Sequence, residues 1–209
     1  MSLTFRVFIV TYIIFVLISP WVYPMVHNRN TIDLAQIKVN YADREILLSE
    51  VNSLRGEAVG VSSPLATKLL TNKIVLSIRY YLNTYFQSFD PGFLFFSGTD
   101  DVLSTKSNGS FHITFLVFIL VGTYRLLTAK RLKWLATILL LITPLPAAYF
   151  GWPYKPFLLI PFFLTLTFFA ATGFTYLLFK HKKAFTLLSI LLCFEVIRFL
   201  HIFINHYLH

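Results

Sequence analysis

The chain has 209 residues, 56% of them hydrophobic and 18% aromatic, and only 13% charged. A soluble domain carries roughly twice that share of charge, so the composition excludes an ordinary soluble fold and points to an all-α polytopic membrane protein. The net charge is +9, but the dense basic clusters are short and flank apolar segments, which marks them as topology signals and argues against a nucleic-acid surface.

About 20 apolar residues cross a bilayer as a helix. The first such segment runs from Val7 to Val26. Its apolar core is long, no small-x-small cleavage site follows it, and Pro20, Trp21, Tyr23 and Pro24 have the composition of an interfacial exit. It reads as an uncleaved signal anchor.

Residues 27–110 are too polar to span. Within them, Asp43 to Arg55 places Ile46, Leu47, Val51 and Leu54 on one helical stripe. Gly56 and Gly60 are expected to end that helix, and Ser62-Ser63-Pro64 to start the next. From Pro64 to about Phe89 the spacing predicts a longer amphipathic helix. Leu70, Ile74, Ile78, Leu82, Tyr85 and Phe89 form its apolar face, suited to a membrane surface or to a neighbouring helix. Asp90-Pro91-Gly92 terminates it by turn chemistry, with Asp90 as the cap. Phe93-Leu94-Phe95-Phe96 is too short to cross and is expected to dip into the interface or dock between helices.

Four more apolar segments follow: Phe111 to Thr128, Trp134 to Phe150, Tyr154 to Phe179 and Ala184 to Tyr207. Arg125, Lys130, Arg131 and Lys133 cluster at one connection, and Lys180, Lys182 and Lys183 at another. The positive-inside rule puts both connections and the amino terminus in the cytoplasm, and the long loop and carboxyl terminus outside. All five crossings agree with that parity. The expected organisation is a signal-anchor span (1–26), an external helical insert (27–110) and a four-helix transmembrane domain (111–209), in the cytoplasmic membrane.

Few residues carry candidate chemistry. Asp100 and Asp101 are adjacent in an acidic loop. They read as solvated, or as a carboxylate pair that binds a divalent cation with a sugar phosphate. Glu195, Arg198, His201 and Asn205 share one face of the last span. Ionisable groups there are costly and face protein, water or one another. A Glu195–Arg198 pair relieves much of that cost. The face reads either as an interhelical lock or as a polar groove for a lipid-phosphate head group. His112, His201 and His206 lack zinc-type spacing, the single cysteine, Cys193, rules out an internal disulfide, and no phosphate loop or nucleophile elbow is present. Asn108-Gly109-Ser110 matches a glycosylation acceptor and equally a turn.

Tyr81-Leu82-Asn83 followed by Phe89-Asp90-Pro91-Gly92-Phe93-Leu94-Phe95-Phe96-Ser97-Gly98 resembles an external-loop motif of bacterial protein mannosyltransferase-like enzymes, glycosyltransferase family 39. Pro144-Leu145-Pro146-Ala147-Ala148 resembles that family's proline-x-proline-alanine-alanine span end. Pro161 and Gly173 match a proline and a glycine of its next span. Asn52-Ser53-Leu54-Arg55-Gly56 and Asn72-Lys73 resemble the stretch upstream. The similarity runs from about Ile37 to Gly173 and implies the lipid-phosphate-binding, carboxyl-terminal half of an enzyme that moves a sugar from polyprenyl phosphate to an acceptor outside the membrane. It implies Lys155 and Arg198 as phosphate-binding cations, with Lys155 where the family commonly has a histidine and an arginine. The family's catalytic acidic residues have no counterpart here, since Asp33 stands alone after the first span. The resemblance therefore implies a truncated or split enzyme, or a partner subunit of one. The competing class is a non-enzymatic scaffold or accessory subunit of an envelope complex; a small transporter ranks third.

Overall fold

The computed structural model describes residues 3–28, 30, 44–57, 72–98, 108–129, 132–150 and 155–207, and every regular element in them is helical. In chain order the helices are α1 (Leu3–Ile18), α2 (Val22–His27), α3 (Arg44–Glu57), α4 (Lys73–Gln87), α5 (Ile113–Thr128), α6 (Lys133–Ile142), α7 (Leu145–Phe150), α8 (Lys155–Leu158), α9 (Ile160–Lys180) and α10 (Lys182–Tyr207). A π-helical turn spans Gly92–Phe96, between α4 and α5. Among the described residues, three stretches are long and apolar enough to cross a membrane: Lys133–Phe150, Ile160–Lys180 and Lys182–Asn205. Leu3–Ile18 and Ile113–Thr128 are apolar but shorter, about 24 Å each at the helical rise.

The first segment expected to span, Val7 to Val26, is broken. Pro20 has no backbone donor, so α1 stops at Ile18 and α2 restarts at Val22, whose N–H returns to the Ser19 carbonyl at 3.1 Å. The break carries Trp21 into the core.

α9 is the central helix, packing on α1, α5, α6 and α10. Its crossing with α5 is set by two glycines. A Cβ on Gly122 would run into the carbonyl oxygen of Phe169, and one on Gly173 into that of Phe118. With no side chain at either position the two backbones touch, which maximises dispersion contact where the surroundings are as apolar as the interface. Phenylalanines fill the space around that contact. Phe15 stacks on Phe115 with centroids 4.5 Å apart and meets Phe174 edge-on at 5.0 Å. Buried hydroxyls in α9 bond within their own helix: Thr167 to the Phe163 carbonyl and Thr175 to that of Ala171, each at 2.8 Å.

The insert is tied to the bundle. Val51 and Leu76 pack α3 against α4. The described part of α3 ends at Glu57, one residue past Gly56, and Gly60 lies outside the described residues. The described part of α4 opens at Asn72, whose side chain accepts the Val75 N–H at 2.9 Å; the Pro64 start expected for this helix lies outside the described residues. The apolar stripe expected on α4 divides: Phe89 meets Phe162 edge-on, whereas Ile74, Ile78 and Leu82 are exposed, and Leu76, off that stripe, is the residue that packs on α3. Contact with α3 selects a face rotated from the one the sequence spacing favours.

The far end of α4 completes a neighbouring helix. Pro144 interrupts the Lys133–Phe150 stretch, and the Tyr85 hydroxyl donates to the Leu141 carbonyl at 2.9 Å in the turn that the proline breaks. Such a carbonyl left bare in an apolar setting is costly.

Gly122→Ala and Gly173→Ala are each expected to destabilise the protein by ~1–3 kcal/mol through overpacking, read as a lower thermal midpoint in detergent. Gly56→Ala, with nothing within 4 Å of its Cβ position, is expected to be neutral or to stabilise by at most about 1 kcal/mol. Equal midpoints for Gly122→Ala and the wild type would rule out the tight crossing.

Candidate functional site

The aromatic run after α4 forms its own scaffold. Asp90 Oδ1 accepts the Gly92 N–H at 3.0 Å, which starts the turn. The chain then winds one π-helical turn, closed by Ser97 N–H on the Gly92 carbonyl at 2.9 Å. Gly98 leaves it at φ 63°, in the left-handed region. Phe93, Leu94 and Phe95 are buried and Phe96 is exposed. The turn therefore docks between helices.

Residues 108–111 run alongside it as an irregular segment. Ser110 N–H bonds to the Phe93 carbonyl at 3.3 Å and Phe111 N–H to that of Leu94 at 2.7 Å. Trp21 N–H reaches the Ser110 carbonyl at 3.2 Å, so this segment is held from both sides. Gly109 permits the approach, because a Cβ there would collide with the Phe95 backbone. Asn108-Gly109-Ser110 thus works as a connector packed against protein.

A cavity of about 200 Å³ opens where this connector meets α10. Pro20, Phe95, Phe96 and residues 108–109 and 111–113 form one wall, and Glu195, Arg198 and Phe199 the other. His112 is buried, and its Nε2–H donates to the Ile18 carbonyl at 2.9 Å. A carbonyl can only accept, so Nε2 carries a proton there. Edge-on contacts with Phe115 and Phe199 hold the ring.

Glu195 does not spend its carboxylate on Arg198. Its Oε2 accepts the Thr114 backbone N–H at 3.0 Å, in the first turn of α5. That N–H has no partner inside its helix, and the helix N-terminus carries partial positive charge, so a carboxylate satisfies both. Arg198 shares the cavity wall with Glu195 but has no ion-pair partner among the described residues. It is exposed on the rim.

The remaining expected site residues lie elsewhere. Lys155 does not line this cavity. Its Nζ donates to Gln87 Oε1 at 3.3 Å and lies 5.8 Å from the Phe93 ring centroid, bracing α4 and the π turn. His201 and Asn205 are exposed and bond to each other, Asn205 Nδ2 donating to His201 Nε2 at 3.2 Å. Asp100 and Asp101 lie outside the described residues, as do Asp33, Trp152 and Tyr154. Among the described residues no three His, Cys, Asp or Glu side chains come together as a metal site.

Sequence reasoning missed the role of Thr114 and with it the purpose of Glu195. The available signal is that α5 opens at Ile113 after His112 with no side-chain cap of its own. A carboxylate from another helix is one way to supply it.

Comparison with protein-family models, with curated proteins and with solved structures finds no match for this chain.

Glu195→Leu removes an acceptor that the sequence near α5 cannot replace, and is expected to cost about 1–3 kcal/mol. Glu195→Gln keeps an acceptor oxygen and is expected to lose less. Thermal unfolding of both variants in detergent checks the ordering; wild-type stability in Glu195→Leu would show that the carboxylate is not needed as a cap.

Proposed function

We propose that this chain is an integral membrane protein of five crossings that holds the phosphate of a lipid carrier in the cavity beside Arg198, on the outer side of the cytoplasmic membrane. Three apolar helices suggest membrane insertion directly. In this reading α1 with α2 and α5 with the segment before it supply the two further crossings. The basic clusters at 125–133 and 180–183 support placing those connections on the inner side. Arg198 lies 16 residues beyond Lys182 on the same helix, which is about 24 Å along the axis. That depth brings it close to the outer boundary of a hydrocarbon core of ~30 Å.

The observation that carries the proposal is the commitment of Glu195 to α5. Among the described residues, it leaves a guanidinium on a cavity rim with no carboxylate in an ion pair with it. Guanidinium groups suit phosphate because their donors form a planar fork. An aromatic turn on the facing wall suits the apolar tail of such a lipid. This agrees with the resemblance to the lipid-phosphate-binding half of polyprenyl-phosphate-dependent glycosyltransferases. The part assigned to this chain is binding; no residue pair here is assigned the transfer chemistry, and a cation brought with the sugar phosphate stays part of the proposal only through Asp100 and Asp101.

One observation favours the second reading, a scaffold or accessory subunit with a membrane partner. α10 is little covered by the rest of the chain, and Leu187, Ile190, Leu191, Phe194 and Ile197 are exposed along it. Another membrane helix would cover that face.

Native mass spectrometry of the detergent-purified protein is expected to show an adduct with the mass of a polyprenyl phosphate. Arg198→Ala should abolish it and Lys155→Ala should retain it. Absence of the adduct, or its persistence in Arg198→Ala, would sink the binding proposal, and a co-purifying membrane protein in its place would support the scaffold reading. The crossing pattern is tested separately. In a Cys193→Ser background, a cysteine at Ser53 should react with an impermeant thiol reagent on intact cells, and one at Lys182 only after permeabilisation. The reverse pattern would overturn the orientation.

A further inference from the structure

A second cavity, of about 640 Å³, lies at the opposite end of the bundle between α1, α5 and α9. Phe5, Phe8 and Phe179 form apolar walls, and Arg125, Tyr176 and Lys180 line it as well. The Arg125 guanidinium carbon is 4.7 Å from the Tyr176 ring centroid, and the Lys180 ammonium is 5.7 Å from the same centroid. One ring therefore gathers two cations from two helices. No carboxylate among the described residues lines the cavity. The other hydroxyls from α9 are spent on their own helix: Thr172 donates to the Phe168 carbonyl at 2.9 Å and Thr175 to that of Ala171 at 2.8 Å.

We propose that this cavity is a binding site for an anionic phospholipid of the inner leaflet, its phosphate between Arg125 and Lys180 and an acyl chain along Phe5 and Phe8. Two like charges drawn to one ring repel each other, and an anion between them removes that repulsion. A small soluble anion would satisfy the charges but leave the apolar walls uncovered. Phe5 and Phe179 are about half exposed, so the cavity opens sideways to where lipid chains lie, and an amphipathic ligand matches both parts. Basic pockets between membrane helices on the cytoplasmic side recognise anionic head groups in this way. The site rests on the inner end of the bundle assigned above, and it is separate from the Arg198 cavity.

The test is native mass spectrometry of the full chain in detergent, titrated with phosphatidylglycerol or phosphatidylcholine of matched chains. Wild type should retain phosphatidylglycerol preferentially. The double variant Arg125→Gln/Lys180→Gln should lose that preference by on the order of tenfold or more, since each surface cation contributes to anionic-lipid attraction. Lys130, Arg131, Lys133, Lys182 and Lys183 remain to hold the topology. The charge-retaining Arg125→Lys should keep the preference, and an unchanged circular-dichroism spectrum reports folding. Equal retention of the two lipids by wild type, or an unchanged preference in the double variant, overturns the site. Carbonate washing of membranes separates the two levels: release of the protein overturns the membrane reading as well, whereas retention without a lipid preference overturns this site alone.

Discussion

The contact between Gly122 and Gly173 sets the distance between α5 and α9, and the other helices arrange themselves around that distance. A side chain at either position would force the two backbones apart. Phe115 and Phe118 on α5 and Phe163, Phe169 and Phe174 on α9 would then lose the mutual contacts that make up the aromatic core. α1 reads this core through Phe15, and the π turn reads it through Phe93, whose ring lies 6.0 Å from that of Phe163. One close approach thus positions both the first helix and the π turn. Small residues serve this purpose because in lipid no hydrophobic gain separates helix contact from tail contact, so closeness of packing decides.

A second constraint follows from burying helix ends in apolar surroundings. Every backbone donor and acceptor there needs a partner, and this chain supplies several from a distance. Glu195 serves the start of α5 across 81 positions of sequence, and Tyr85 serves the Leu141 carbonyl across 56. The connector at 108–111 closes its backbone against the π turn and Trp21. Polar residues that look chemical in isolation are therefore partly structural. Among the described residues this leaves Arg198 without an ion pair, because the Glu195 carboxylate three residues away is engaged by the Thr114 N–H.

Among the described residues, cations border a cavity at each end of the bundle, in different settings. At one end the Arg198 guanidinium borders a small cavity with an aromatic turn. At the other, two cations share the ring of Tyr176 above a larger apolar cavity. The first suits a single phosphate group, and the second a head group with chains attached.

Composition and the spacing of apolar runs pointed to a helical chain with segments that could span a membrane, because immersing about 20 residues in hydrocarbon needs a bulk property that any window average reveals. Turn chemistry at Asp90-Pro91-Gly92 was legible because a side chain two residues from its backbone partner needs no tertiary context. The break at Pro20 follows from local chemistry too, yet hydrophobicity outweighed it in reading Val7 to Val26 as one continuous segment. The sequence could not say which face of α4 packs, since Ile74–Ile78–Leu82 and Leu76 are both apolar options until α3 chooses between them. It could not separate Lys155 from Arg198, which look alike as cations near span ends. Tertiary structure separates them, giving Lys155 a glutamine and a phenylalanine ring, and leaving Arg198 on a cavity because its apparent partner Glu195 reaches across to α5. Local propensity and hydrophobicity act within a few residues, whereas the competition of distant groups for one carboxylate is decided only when the helices meet.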